Sequence, residues 1–355
     1  GAHMSLVLPI SRNAVDRALP LWSGGKWWPF QAECDAPVDK WDSQTPSGCI
    51  PAGTDGWGCN CWNGTGNACD VAQSCLWFSN GCTIGCEKCD GLAANPNYKC
   101  RCNSCMNATV NDPELRTYNR KAKAGSDEDI YKFNPWRAPG FAPVLDSCGM
   151  AGGGPIEGCG EAKYTTTEFA KQGDLGSKVL PPQSTGITWK AGSIVTTKWS
   201  IRANHGGGYQ YRLCPATESL TEECFMRTPL PFASNTTQIL ELIDATIKIP
   251  GKYVSDGTKP AGSTWAMNPL PYSNPKSPPE FDPPCHEYVD HTKGDTGRCS
   301  GRDPWLTLIV DKLVVPANIK PGNYVLSLRW DCEKSAQVWT NCADVYIAGP
   351  DAVVV

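Results

Sequence analysis

The sequence contains little histidine, no long apolar run and no run of like charges. Only four of its 355 residues are histidine, and none of these lies between residues 4 and 204. No apolar stretch approaches the roughly eighteen residues that a membrane-spanning helix needs, so we expect a soluble molecule with no membrane partner. The net charge is −4 and no run of Lys or Arg is present, which argues against a nucleic-acid partner.

Signatures of common hydrolases are absent as well. No G-x-S-x-G motif occurs, and spacing identifies no glycosidase-like pair of carboxylates among the thirty-six acidic residues. We interpret Asp344, in a strand-like segment, as a structural residue rather than an acid catalyst. The cysteines are expected to be paired, so they supply no nucleophile.

Cysteine, by contrast, is abundant and unevenly distributed. Twelve of the twenty cysteines lie within residues 34–105, where few Val or Ile side chains are available to form a core. The even number and the density indicate disulfides formed in an oxidising compartment, so we expect a secreted protein. Cys86 and Cys89, like Cys102 and Cys105, also have the C-x2-C spacing of zinc sites. The even count and the absence of nearby histidine favour disulfides, whose pairing the spacing does not identify.

Two further features bear on secretion. Triplets that can accept an N-linked glycan begin at Asn63, Asn107 and Asn235, as expected of a glycoprotein. The sequence shows no signal peptide and opens with the letters GAHM, which are typical of a cloning remnant. We therefore expect that a natural leader was removed.

From about residue 187 onward, the pattern is that of β-strands separated by turns. Four segments alternate or run apolar with β-branched and aromatic residues, namely 193–201, 238–249, 305–315 and 323–330. The thirty-five Gly and thirty Pro residues argue against long helices. The pattern predicts an all-β fold, a β-sandwich of the immunoglobulin or fibronectin III type. We expect one domain over residues 1–355, in which 34–105 is a cysteine-rich insertion and 106–147 a connecting arm.

His205 is the histidine whose surroundings suggest chemistry. It follows an apparent strand and precedes three glycines, residues 206–208. A histidine at the end of a rigid strand can present a ring nitrogen to a metal or substrate, and the glycines leave room for a close approach. The alternative is a structural histidine that is hydrogen-bonded near a loop. His286 and His291 lie in a Pro-rich, acidic segment, and we interpret them as surface residues.

Three stretches together resemble the lytic polysaccharide monooxygenases and chitin-binding type-4 proteins. They are His3 with Pro9, Ser11 and Arg12, then Trp199 with the Ala203-Asn204-His205 run, and then QVWTNCADV from Gln337 to Val345. The nearest resemblance is to the cysteine-rich branch found in algae, oomycetes and invertebrates. It covers residues 3–12 and roughly residues 140–350, and the Cys-rich segment is the kind of insertion typical of that branch.

The resemblance implies a mononuclear copper site. In that family the N-terminal histidine binds through its α-amine and ring Nδ1, and a second histidine adds Nε2, so His3 and His205 are the implied ligands. Such a planar nitrogen set suits Cu(II). Gln337 would orient bound oxygen without itself binding the metal. Trp339 stands where the family usually has Tyr or Phe at the axial side, and it can crowd that face but cannot ligate through a phenol oxygen.

A site of this kind requires a free amine on His3, yet Gly1 and Ala2 precede it. Either a signal peptidase naturally cuts before His3, or a His-Met pair from a vector replaced a natural His-Gly. In both cases we expect the chain as written to bind copper poorly.

The function implied by the resemblance is oxidative cleavage of a β-1,4-linked polysaccharide of the chitin or cellulose class. A secreted, monomeric enzyme would hydroxylate carbon 1 or carbon 4, using copper, an external reductant and O2 or H2O2. The alternative is a non-catalytic polysaccharide-binding or cell-wall protein on the same fold, and a weaker one is a copper-trafficking or structural extracellular protein. Candidate aromatic residues for a sugar-binding surface are Tyr209, Trp57, Trp62 and Trp77, and the alternative for all four is packing against disulfides.

Overall fold

The computed structural model describes residues 3–18, 73–81, 83–84, 126, 132–156, 162–242, 246–270 and 307–354. Within these ranges the strands are β1 (His3–Leu8), β2 (Trp77–Asn80), β3 (Met150–Ala151), β4 (Thr188–Lys190), β5 (Ile194–Ala203), β6 (Gly208–Pro215), β7 (Thr237–Leu242), β8 (Thr246–Pro250), β9 (Tyr253–Val254), β10 (Trp265–Met267), β11 (Thr307–Val314), β12 (Gly322–Asp331) and β13 (Gln337–Ala348). The helices are α1 (Gly176–Val179) and α2 (Glu222–Met226), with 3-10 turns at Arg12–Ala18, 73–76 and Pro135–Arg137. Among the described helices, none has the length and apolarity to cross a membrane.

These strands form two sheets. The first has five strands in the order β1-β5-β11-β7-β8, and the second has the order β3-β2-β13-β12-β6-β10-β9 with β4 added beside β13. Only the β4–β13 pair is parallel among the described strand pairs. Apolar side chains from both sheets pack into one core, so the predicted all-β sandwich is confirmed.

The core is rich in aromatic rings because strand register brings them into a row. Tyr209 lies opposite Trp330, Trp330 opposite Trp339, and Trp339 opposite Phe78, across β6, β12, β13 and β2. All four side chains are fully buried. Trp199 of the other sheet packs against this row. Its ring centroid lies 4.6 Å from that of Tyr209 and 5.7 Å from that of Trp330. Each such burial contributes roughly 2–3 kcal/mol relative to exposure, before conformational entropy is subtracted.

The opposite face of the larger sheet is covered rather than open to water. Arg329 donates to Asp331 at 2.7 Å and to the carbonyl oxygen of Ala142 at 2.8 Å. Burial would by itself raise the pKa of Glu222, but the charges of Arg212 and Arg329 outweigh it and lower that pKa to about 2. Each ion of this layer is paired with an opposite charge, as buried ions usually are.

Two segments that the sequence suggested were peripheral are part of this body. Residues 132–147, within the predicted connecting arm, pack over the charged layer and bury Trp136 and Ala142. Residues 77–80, within the predicted cysteine-rich insertion, form β2 between β13 and β3. The reason is the same in both cases, because a few large apolar side chains suffice to anchor an otherwise polar segment.

The described cysteines are mostly, but not all, in disulfides. Cys148 pairs with Cys342 and Cys214 with Cys224, and Cys75 is also disulfide-bonded. The expected pairing is confirmed for these five. It is wrong for Cys332, which is a buried free thiol at the end of β12.

Asp311 of β11 is an acidic side chain inside the sandwich, 3% exposed. Tyr209 donates its hydroxyl to Asp311 Oδ1 at 2.8 Å, and Gln238 Nε2 donates to that hydroxyl oxygen at 3.1 Å. Asp311 Oδ2 has no hydrogen-bond partner among the described residues. Burial raises the pKa of Asp311 to about 7, and the bond from Tyr209 offsets only part of that rise.

Asp311 should therefore make stability depend on pH. The folded protein holds a proton that the unfolded chain releases at an ordinary carboxyl pKa, so stability falls as the pH rises from about 4 through about 7. The loss amounts to about 4 kcal/mol at most. Asp311→Asn should flatten this slope in urea unfolding measured between pH 4 and pH 8, whereas the exposed control Asp351→Asn should keep it. An unchanged slope in Asp311→Asn would contradict the assignment.

Candidate metal centre

His205 lies in the short loop between β5 and β6, at one end of the sandwich. Asn204 organises this loop, because its Oδ1 accepts from the Gly206 amide at 2.9 Å and its Nδ2 donates to the Leu270 carbonyl at 3.0 Å. Asn268 adds a bond to the same Oδ1 at 2.7 Å. The loop that carries the histidine is thus held by side-chain bonds at its base.

The glycines after His205 serve backbone packing. Gly206 and Gly207 have φ values of +67° and +81°, in the left-handed region. A Cβ on Gly207 would lie 1.9 Å from the carbonyl oxygen of Asp331, and one on Gly208 would lie 2.2 Å from the Trp136 ring. The expectation that these glycines leave room for a ligand is therefore wrong, since protein atoms fill that space.

The turn between β12 and β13 contacts His205 at both its backbone carbonyl and its ring. The carbonyl oxygen of His205 accepts from the backbone amides of Glu333 at 3.2 Å and Lys334 at 3.1 Å. Its ring Nδ1 lies 2.8 Å from Ser335 Oγ. Burial lowers the pKa of His205 to about 3, so the ring is neutral at ordinary pH. A neutral imidazole is the form that binds metal ions.

His3 is brought to the same end of the molecule by strand pairing. In the antiparallel β1–β5 pair, His3 lies opposite Ala203, two residues before His205. Its backbone is described and its side chain is not. The proximity of the two chain segments follows from register alone, although about two hundred residues separate them in sequence.

Gln337 and Trp339 begin β13 beside this loop. Gln337 Oε1 accepts from Ser335 Oγ at 3.1 Å and from Trp339 Nε1 at 3.3 Å. Trp339 is fully buried and stacks on Phe78, with centroids 4.0 Å apart and ring planes 15° from parallel. Three of the four residues singled out in the sequence are thus linked through side-chain contacts.

The predicted sugar-binding surface is wrong for two of its members. Tyr209 and Trp77 are completely buried. Tyr209 bonds to Asp311 in the core, and the Trp77 ring packs edge-on to Tyr164 with centroids 5.3 Å apart. Both residues lie on strands whose side chains point into the body. The other two members, Trp57 and Trp62, lie outside the described residues, as do His286 and His291.

Asp344 has the structural role expected from the sequence. Its carboxylate receives two bonds from the Arg12 guanidinium, at 2.8 Å from Nε and 2.6 Å from Nη2. It also accepts from the Gln183 amide at 2.8 Å. These bonds hold the turn after β1 against β13.

Comparison with known proteins finds a similar sequence. No family model matches the chain. The chain is 24% identical over 233 residues to the AA13 family lytic polysaccharide monooxygenase A of Pyricularia oryzae. The chain is thus similar to a lytic polysaccharide monooxygenase, which bears out the resemblance seen in the sequence. The match covers 59% of this chain and 53% of that protein. Because the chain spans only about half of the relative's length, the match does not establish the relative's activity for this chain.

Solved structures were also matched. A lytic polysaccharide monooxygenase AA15 from Thermobia domestica in the Cu(I) state is 18% identical, with 46% of this chain and 62% of that chain covered and a TM-score of 0.25. A chitin binding domain from Burkholderia pseudomallei is 10% identical, with 98% and 100% covered and a TM-score of 0.33. Both TM-scores lie below 0.5, so neither match supports a conclusion about this chain.

The His205 ring at this end of the sandwich is a donor of the kind that binds copper, the metal that the similarity to these monooxygenases implies. His205 is neutral, its Nδ1 is engaged by Ser335, and its Nε2 makes no hydrogen bond to the described residues. No group of three or more His, Cys, Asp or Glu side chains in the described ranges could hold a metal. The Nε2 atom of His205 is thus a ring nitrogen that remains available to a metal at this end of the sandwich.

Sequence reasoning missed two residues of the centre, Ser335 and Phe78. Ser335 lies in the turn between β12 and β13, whose five residues separate Asp331 from Gln337. Turn serines are common, so the residue type carries no signal until the hairpin folds over His205. Phe78 reaches Trp339 only because β2 pairs with β13, which no local pattern indicates.

The packing role of Gly207 can be tested against a glycine of similar φ. Gly262 has φ +75°, and a Cβ added there would have no atom within 4 Å. Gly262→Ala should cost about 1 kcal/mol from backbone strain alone. Gly207→Ala should cost about 2 kcal/mol more, because its Cβ would meet the Asp331 carbonyl. Urea unfolding of both variants measures the difference, and equal costs would contradict the close approach.

Proposed function

We propose that this chain is a secreted, copper-dependent monooxygenase that cleaves a β-1,4-linked polysaccharide of the chitin or cellulose class. The observation that carries the proposal is the setting of His205. Its ring is neutral and held through Nδ1, and the backbone of His3 lies opposite Ala203. The relationship to a lytic polysaccharide monooxygenase supports the same proposal.

His205 through Nε2, and His3 through its α-amine and ring Nδ1, would hold the metal. Bound copper would supply one-electron redox chemistry toward O2 or H2O2, with electrons from an external reductant, so that a C–H bond at carbon 1 or carbon 4 is hydroxylated. The chain's contribution is geometry, because the hairpin fixes both the backbone and the ring of His205.

Gln337 and Trp339 would form the wall behind the histidine. Gln337 turns its oxygen toward Ser335 and Trp339, and its Nε2 lies 3.5 Å from Asn80 Oδ1. By resemblance, this amide would orient oxygen near the metal. Trp339 offers no oxygen ligand, and its stack with Phe78 excludes water from that side.

The extracellular location and the polysaccharide partner are part of the same proposal. Disulfides at Cys148–Cys342 and Cys214–Cys224 suit an extracellular protein. Asn235 of the described sequon is exposed, as glycosylation requires. The partner would be a polysaccharide, bound by a monomer.

A second candidate is a non-catalytic polysaccharide-binding or cell-wall protein on the same fold. One observation favours it. Trp339 is buried and stands at the position where the family usually presents a tyrosine or phenylalanine.

Copper affinity tests the two-histidine site. A chain that begins at His3 should bind Cu(II) more than about tenfold more tightly than the chain with Gly1 and Ala2, since only the former offers a free α-amine as a ligand. His205→Ala in the chain beginning at His3 should lose the tight binding. Calorimetric titration measures all three, and equal affinities would refute the site.

Activity separates the two candidate functions. Mass spectrometry of chitin and cellulose digests, with reductant and the chain beginning at His3, should show oxidised oligosaccharides. The products should disappear without reductant and in His205→Ala. Firm retention on the polysaccharide with no oxidised product would instead support the binding protein.

A further inference from the structure

A chain of hydrogen bonds connects Trp339 to the ring of His205. Trp339 Nε1 is 3.3 Å from Gln337 Oε1, and Ser335 Oγ is 3.1 Å from that same oxygen. Ser335 Oγ is in turn 2.8 Å from His205 Nδ1. Gln337 and Trp339 lie at the start of β13, and Ser335 lies in the turn before it. His205 lies in the loop between β5 and β6.

The direction of each bond follows from what each group can donate. An indole N–H can only donate, so Gln337 must present its oxygen to Trp339. That oxygen can only accept, and the hydroxyl proton of Ser335 is therefore used toward Gln337. With its one proton used, Ser335 can only accept from His205. Nδ1 must then carry the proton of the neutral ring.

One other group near Ser335 does not change this direction. The buried thiol of Cys332 is also a hydrogen-bond neighbour of Ser335. Sulfur is a weaker acceptor than an amide oxygen, so the thiol does not compete with Gln337 for the hydroxyl proton.

We infer that Ser335 is a positioning residue that holds the proton of His205 on Nδ1 and so leaves the lone pair on Nε2. A neutral histidine in water prefers the opposite tautomer, with its proton on Nε2. Ser335 reverses that preference because Trp339 fixes the orientation of the Gln337 amide, and the Gln337 oxygen takes the hydroxyl proton of Ser335. The consequence for copper, that Nε2 is ready to bind without first losing a proton, rests on the proposed function.

The inference can be tested without unfolding the site. The His205 carbonyl keeps its bonds to the Glu333 and Lys334 amides when the serine hydroxyl is removed. Trp330 Nε1 also continues to donate to the Gly206 carbonyl at 2.6 Å. Ser335→Ala should therefore fold, with the loop in place and only the ring released.

The experiment is nitrogen-15 NMR of the histidine rings in the full chain after metal removal with a chelator. The His205 signals are identified by their loss in His205→Gln. In the native protein, Nδ1 should have the shift of a protonated nitrogen and Nε2 that of an unprotonated one. Ser335→Ala should move the population toward the Nε2-protonated tautomer, and Ser335→Thr should restore the native pattern.

A matched control is Ser193→Ala. The Ser193 hydroxyl donates to the Lys190 carbonyl at 2.6 Å, just before β5 and at the opposite end of that strand from His205. This variant should leave the tautomer unchanged. A native protein with its proton on Nε2, or a Ser335→Ala spectrum identical to the native one, would overturn the inference.

Copper titration of the same variants, in the chain beginning at His3, keeps the two ideas apart. Ser335→Ala should weaken Cu(II) binding roughly 10- to 100-fold, as loss of the hydrogen bond to a ligand's other ring nitrogen usually does. If the NMR result is as expected but the native chain binds no copper, the proposed function fails and the role of Ser335 in setting the tautomer stands.

Discussion

The pairing of β12 with β13 is the interaction on which both the core and the candidate centre depend. From Gly322 opposite Ile347 to Asp331 opposite Val338, the register is unbroken. It places Trp330 beside Trp339 in the buried aromatic row, and its turn carries the amides and the hydroxyl that hold His205. A slip of one residue would turn every one of these side chains to the other face.

The second layer of support is the charged face of the same sheet. Arg329 and Asp331 alternate along β12 with Leu328 and Trp330, so one strand serves an apolar core on one side and an ionic layer on the other. Residues 132–147 complete that layer, with the Gly140 amide donating to Asp331 at 2.8 Å. Asp331 is also the last residue of β12, which leads into the turn that contacts His205. The charged layer and the candidate metal centre therefore share this strand.

Much of the fold was predictable because it rests on local pattern. Alternating β-branched and aromatic residues identified the segments of β5, β11 and β12, and one run that the structure divides into β7 and β8. The even cysteine count predicted that the cysteines are in disulfides, but not that Cys148 pairs with Cys342 and Cys214 with Cys224. The predictions failed where polarity or composition was uninformative. Tyr209 and Trp77 were candidates for a sugar-binding surface because aromatic rings stack on sugars, yet both side chains are buried.

The sequence by itself determined the strand-forming segments and the resemblance to the lytic polysaccharide monooxygenases, and it singled out His205, Gln337 and Trp339 as candidates, because each of these stands in a short local pattern. Only the tertiary structure decided that Ser335 joins them, that the glycines beside His205 pack against protein, and that β2 lies next to β13. Each of those facts is a contact between segments distant in the chain, set by register between strands. The pattern within one strand does not identify which other strand it pairs with in the sheet.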